Sequence, residues 1–391
     1  MKFVAIYHAG IQKIHENKDI FLVPYFFSKE FWVESSLVWH FLDKEVGEGV
    51  LRKERVNLIE TWCLWGWDRY SNGINLMIIK YLFKQSKKID ILHLNHLIIS
   101  NIIYTFIYKT INPKWKVFIK MDMNSNIDKS KFLKVKKCPF SKILNKFIYY
   151  ITNFILSKID CISVETQKGY DILTSYSDKF TQKTVIMPNG YNPDILESLF
   201  PTVLSFKEKE NYMITVWRVG SSQKNLPMLM EVLSKIDFKD WKCFIIWPYE
   251  NEGVEKMIND FYLKHPNLKD KVVFTWAIYD YSELYDFYNK SKIFLLTSIF
   301  EGFPLVFPDA IYFNNRIIST KVSSVEDITK NGKFWDIIAQ WDIESFVKIL
   351  NEYISNYVYL ESRSKGIHER AKNYFSWASV IIQPGEKLKL C

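Results

Sequence analysis

Glycine is scarce in this chain, with 13 among 391 residues, about half the usual frequency of roughly 7%. Glycine-rich flexible linkers and collagen-like repeats are therefore excluded, and few positions can take a positive φ without strain. Cysteine is sparse too. Cys63, Cys138, Cys161, Cys243 and Cys391 are odd in number and contain no CxxC pair, which suits reduced thiols better than a disulfide framework or a zinc site. No apolar run reaches the ~18 residues of a membrane span. Residues 3–7 read as a short strand interrupted by His8 and Gly10, not as a secretory leader. No loop carries a DxD-type acidic cluster for a divalent cation, since Asp280 and the pair Glu326–Asp327 read as caps or surface residues. The expectation is a cytoplasmic protein without a metal, soluble or peripheral at the inner face of the membrane.

What is abundant is length, aromatic side chains and positive charge. A chain of 391 residues exceeds one ordinary core, so two domains are expected. Aromatic content is 17% and the net charge is +9. A lysine-rich solvated surface accounts for that charge. So does attraction to anions such as a nucleotide diphosphate or an acidic membrane. No nucleic-acid motif accompanies it.

The pattern alternates as an α/β chain should. Strands are predicted at 3–7, 36–41, 56–60, 89–94, 116–121, 160–164 and 185–187, with helices at 19–29, 74–83, 97–110 and 141–156. Pro188-Asn189-Gly190 is a turn, and 193–201 with 207–211 reads as a linker. The alternation then restarts with strands at 212–216, 243–246, 272–274, 293–296 and 316–319. Helices are predicted at 225–235, 254–264, 282–289, 344–355 and within 361–380.

The densest stretch is 292–327. A buried strand, Ile293–Leu296, leads into Glu301-Gly302-Phe303-Pro304, a helix through Phe313, and a second buried strand. This is a βαβ unit whose loop lies at the carboxyl end of a sheet. Pro304 suits the first helical position, and the amides beyond it, from Leu305, favour an anion. Glu301 and Asp309 flank the turn.

This stretch resembles the signature of the retaining glycosyltransferases of family four: Glu, Gly-Phe-Pro, a second carboxylate after seven residues, then Ala310. Asp309 stands where a Glu is usual. The resemblance implies a GT-B architecture, two doubly wound Rossmann-like α/β domains facing a central cleft. It places an acceptor-binding domain at 1–195 with a terminal crossover helix at 366–391, and a nucleotide-sugar-binding domain at 196–365. It also implies that Glu301 contacts the transferred sugar and Asp309 the ribose, with Gly302, Phe303, Pro304 and Leu305 lining the donor. Arg218 and Lys224, in Trp217-Arg218-Val219-Gly220-Ser221-Ser222-Gln223-Lys224, match the cations that hold the diphosphate. Fixed cations there stabilise the charge that develops on the leaving group. The donor is a nucleotide-diphosphate-sugar acting as substrate, so no cofactor is expected. A glycan or lipid-linked molecule is the expected acceptor, in cell-surface polysaccharide or glycoconjugate synthesis. A degenerate GT-B scaffold serving as a partner subunit, and a nucleotide-sugar epimerase, are the alternative readings.

On the acceptor side the residues are less regular. His93 and His96 flank a strand end, and Asp122 follows the next strand where family members often place a histidine. Asp122 and His96 are the candidates to orient or deprotonate the acceptor hydroxyl. The competing readings are a core histidine at 93 and a strand-end cap at 122. Gly10 lets the backbone approach the donor. The basic-aromatic stretch 129–156 packs in the core or rests on anionic lipid.

Tryptophan, by contrast, is frequent at 13 residues. Trp217, Trp247, Trp276, Trp335 and Trp341 occupy places where the family usually has glycine. A source that reads UGA as glycine would account for both the excess of one residue and the shortage of the other. Genuine divergence is the alternative.

Overall fold

The structure, a computed structural model, describes residues 1–8, 15–41, 55–62, 74–122, 154, 156–217, 221–246, 252–275, 277–329 and 334–390. Gly10, Arg218, Trp247, Trp276, the basic loop 129–137 and nearly all of the predicted helix 141–156 lie outside them. The chain divides into two compact units, Met1–Pro188 with Trp377–Cys391, and Asn189–Ser376.

The first unit is built on seven strands: β1 (Lys2–Ile6), β2 (Glu34–Phe41), β3 (Val56–Trp62), β4 (Ile91–Asn95), β5 (Lys116–Met121), β6 (Cys161–Val164) and β7 (Thr184–Ile186). All pair in parallel, in the order β3-β2-β1-β4-β5-β6-β7. A parallel sheet must be covered on both faces, and the alternation along the strands shows how. Phe3, Leu37, Ile91 and Phe118 face one cluster with the helix Asp19–Phe31 and with Trp377, Val380 and Ile381. Val4, Ile6, Val38, Leu92, Leu94, Val117 and Ile119 face the other, with Ile78, Leu82, Tyr104, Tyr108 and Leu173 from three further helices. Neighbouring residues of one strand thus serve opposite faces. The carboxy-terminal helix Ile382–Lys387 belongs to this unit, and Gly385 is needed there: a Cβ would lie 2.0 Å from the Phe31 ring.

The second unit carries β8 (Tyr212–Val216), β9 (Lys242–Ile246), β10 (Val272–Thr275), β11 (Ile293–Leu296), β12 (Arg316–Thr320) and β13 (Trp335–Ile338). They are parallel in the order β10-β9-β8-β11-β12-β13. Every residue of β11 is buried, as its unbroken apolar run predicted.

Three expectations change. Residues 193–199 form a helix, not a linker: Asn192 caps it by accepting from the Asp194 N–H, and Pro193 occupies its first turn. Pro304 is not the first helical residue. The helix runs from Val306 to Tyr312 with Leu305 as its N-cap, and Pro308 falls in the first turn, where a missing N–H costs nothing. The segment 361–380 is three shorter helices, Tyr357–Ser364, Ile367–Tyr374 and Trp377–Val380. The last break follows Phe375-Ser376, where the Tyr191 N–H donates to the Phe375 carbonyl at 2.8 Å.

The described tryptophans fall into contrasting groups. Trp377 is a core residue. Trp32 and Trp341 have φ of 56° and 66° and are 84% and 57% exposed, so the left-handed backbone there has no packed indole to compensate for it. Trp32 ends the helix Asp19–Phe31 at the position glycine commonly fills. Trp217 and Trp335 are buried, and neither indole N–H has a hydrogen-bond partner among the described residues, unlike most buried tryptophans.

Candidate functional site

Both sheets contain a switch point, where the strand order reverses direction from its first strand: β1/β4 in the first unit and β8/β11 in the second. Crevices outside the carboxyl ends of strands at such points are where open α/β sheets bind ligands.

In the second unit, two loops interlock at that end. Residues 222–224 form a short 3-10 turn after β8, and Asn225 follows with φ 53°. The Ile299 N–H donates to the Gln223 carbonyl at 2.8 Å, while Gln223 Nε2 donates to the Phe300 carbonyl at 2.8 Å. Thr297 Oγ1 donates to the Lys224 carbonyl at 3.0 Å. From the other side, Thr320 Oγ1 and Gln340 Nε2 donate to the Ser298 carbonyl at 2.6 and 3.1 Å. The loop leading to Glu301 is therefore fixed from β8, β12 and the turn after β13. On this frame the Lys224 ammonium donates to Glu301 Oε1, both side chains being largely buried.

Gly302 and Phe303 continue the turn. Phe303 is buried against Phe375, with ring centroids 6.1 Å apart, and its carbonyl accepts from Asn189 Nδ2 at 3.4 Å. Leu305 is exposed. Asp309 hydrogen-bonds with Tyr285; burial pushes its carboxyl up to about 8, against the opposing pull of that bond. It is therefore mostly protonated at neutral pH and can donate as well as accept.

The first unit gathers a second set at the ends of β1, β4, β5 and β6. His96, at φ 64°, lies 3.8 Å from Asp122. His93 is fully buried between Phe3 and Phe118, and burial lowers it to about 3; it is a neutral core residue. Two groups not singled out in the sequence, Lys120 and Glu165, meet Asp122. Lys120 is 1% exposed as a side chain; it donates to Asp122 and Glu165 and pairs with Asp19. A lysine among the buried residues of the strand KVFIKM was the available signal, because a buried ammonium requires partners. His8 pairs with Asn101 Oδ1 at 2.6 Å and stacks on Tyr104, while Asn101 donates to the carbonyls of Asn95 and His96. Among the described residues, no group of three or more His, Cys, Asp or Glu is disposed to hold a metal ion, and no helix is long and apolar enough to cross a membrane.

Two parallel, doubly wound sheets with these loops define a GT-B fold. It is shared with sucrose-phosphate synthase from Thermosynechococcus elongatus, 15% identical with a TM-score of 0.68 over 100% of this chain and 98% of that one. Anabaena HepE, solved with UDP and glucose, is 12% identical with a TM-score of 0.68 over 100% of both chains. Residues 199–373 match the family described as Glycosyl transferases group 1. That match lies within the second unit, residues 189–376. Lipopolysaccharide 1,6-galactosyltransferase of Escherichia coli (strain K12) is 28% identical over 141 residues, spanning 36% of this chain and 38% of that protein.

Proposed function

We propose that the protein transfers a sugar, with retention, from a nucleotide-diphosphate-sugar to a glycan or lipid-linked acceptor in cell-surface glycan synthesis. The observation that carries this is the pairing of Lys224 with Glu301 on two interlocked loops at the β8/β11 switch point. Lys224, together with Arg218, meets the diphosphate. Glu301 meets the sugar hydroxyls, and the 302–305 turn packs against the sugar. Asp309 reaches the ribose in its neutral form. The bond between the sugar C1 and the β-phosphate oxygen breaks, its electron pair remains on the diphosphate, and the acceptor hydroxyl adds to the face the phosphate leaves. Preorganised cations act on charge that exists only as that bond breaks, so their effect falls on the rate.

Asp122 and His96 take the acceptor. Lys120 and His96, with hydrogen bonds from Lys120 and Glu165, outweigh the effect of burial and hold Asp122 at about 2. Such a carboxylate is a weak base, and effective bases titrate near the working pH. Asp122 therefore orients the hydroxyl, and the proton leaves on the departing phosphate. The similarity to a lipopolysaccharide galactosyltransferase supports a cell-surface product, and the reading places the reaction at the inner face of the membrane.

A thermal-shift screen of nucleoside diphosphates and their sugars tests this. A ligand at 100 times its Kd adds about 2.7 kcal/mol of stability. No shift with any of them, and no release of sugar from any donor, would overturn it.

A further inference from the structure

Lys120 lies in the middle of the carboxyl-end cluster of the first unit. Its ammonium meets three carboxylates from different parts of the chain: it donates to Asp122 Oδ1 at 2.7 Å and Glu165 Oε1 at 2.9 Å, and pairs with Asp19 Oδ2 at 2.8 Å. An ammonium has three donors, and this one is ringed by carboxylates. Glu165 is buried at 3% exposure and also hydrogen-bonds with Asp122. The Asp122 side chain alone combines contact with Lys120 and wide exposure, at 47%, and its Oδ2 lies on the side of His96.

We infer that Lys120 and Glu165 are positioning residues: they fix one oxygen of Asp122 and leave the other, beside His96, to accept a hydrogen bond from a sugar hydroxyl. This rests on the reading of the first unit as the acceptor side. The charges agree with it. Three carboxylates around one buried ammonium cannot all ionise cheaply. Burial, only partly offset by Lys120, pushes Glu165 well above the ordinary carboxylate range. Glu165 thus holds a proton and donates it in a hydrogen bond to Asp122. Lys120 itself stays charged, because the Asp122 and Asp19 carboxylates raise it against its desolvation. Among the described residues, the titratable groups facing Asp122 are Lys120, Glu165 and His96.

The test follows carboxyl carbon resonances of protein labelled at aspartate and glutamate, assigned with Asp122→Asn and Glu165→Gln. In the full chain the Asp122 signal stays at its ionised position down to about pH 3, and Glu165 titrates above the ordinary carboxylate range. Methyl galactoside, a soluble stand-in for a sugar acceptor, is then titrated in. It shifts the Asp122 resonance in the wild type. In Lys120→Met the Asp122 titration moves up by a unit or more and the response to methyl galactoside weakens at least tenfold. Lys120→Arg, which keeps a cation, recovers part of both and shows that the unit still folds. If Asp122 never responds to the sugar, the acceptor-side reading fails. If it responds equally in the wild type and Lys120→Met, or if Glu165 ionises in the usual carboxylate range, the positioning role is overturned.

Discussion

The Lys224 ammonium donates a hydrogen bond to the Glu301 carboxylate across 77 residues of sequence. With side-chain exposures of 15% and 11%, the pair is sheltered enough for its charges to count. A donor diphosphate would draw on the same ammonium, and the sugar on the same carboxylate. Lys224→Ala and Glu301→Gln are therefore each expected to lower kcat/KM for donor turnover by about 100-fold or more. The double variant should lose less than the product of the two, because the residues are in contact. Steady-state kinetics on the two single variants and the double variant measure this.

Asp309 gives a pH dependence of stability with a definite sign. Its ordinary value is 3.8 and burial raises it to about 8 in the fold. Between those values the native state holds a proton that the unfolded state has released, so stability falls as pH rises through the window and levels off above it. Asp309→Asn removes this dependence. Urea midpoints should show the variant gaining on the wild type at pH 8, with the two converging near pH 4.

Arg316 is fully buried in β12 and donates to Asp336 Oδ2 at 3.0 Å and to the Arg363 carbonyl at 2.7 Å. Tyr353 donates its hydroxyl to the same Asp336 oxygen at 2.6 Å. Asp336→Ala leaves a buried guanidinium without its counter-charge. A loss of about 3–5 kcal/mol is expected, read from chemical denaturation of the purified variant.

The tryptophans at positive φ predict stabilisation by truncation. Trp32→Gly and Trp341→Gly remove a left-handed strain of about 1–2 kcal/mol each while giving up exposed side chains, so each should raise the unfolding free energy. Reading UGA as glycine in the source would make glycine the natural residue at 32, 217, 335 and 341. Peptide mass spectrometry of protein from the natural source decides this directly. Tryptophan at all four positions would show that the strain belongs to the native chain.

Strand positions were largely legible in the sequence because buried parallel strands carry continuous apolar runs: 116–121 and 293–296 match β5 and β11 to the residue. The family motif at 301–310 was legible for a similar reason, being local in sequence. The helix 193–199 was missed because proline was given the weight of a breaker although it followed a capping asparagine.

Local sequence alone determined the alternation of strand and helix, the unbroken cores of β5 and β11, and the glycosyltransferase motif. These follow from neighbouring side chains, whose spacing decides which face each one occupies. Only the tertiary structure decided which distant groups meet. It brought Lys224 to Glu301, turned Asp309 toward Tyr285, and made Lys120 the hub for Asp19, Asp122 and Glu165. Those contacts depend on strand order and on loops closing at the carboxyl ends of the sheets, and burial there sets which carboxyls keep a proton.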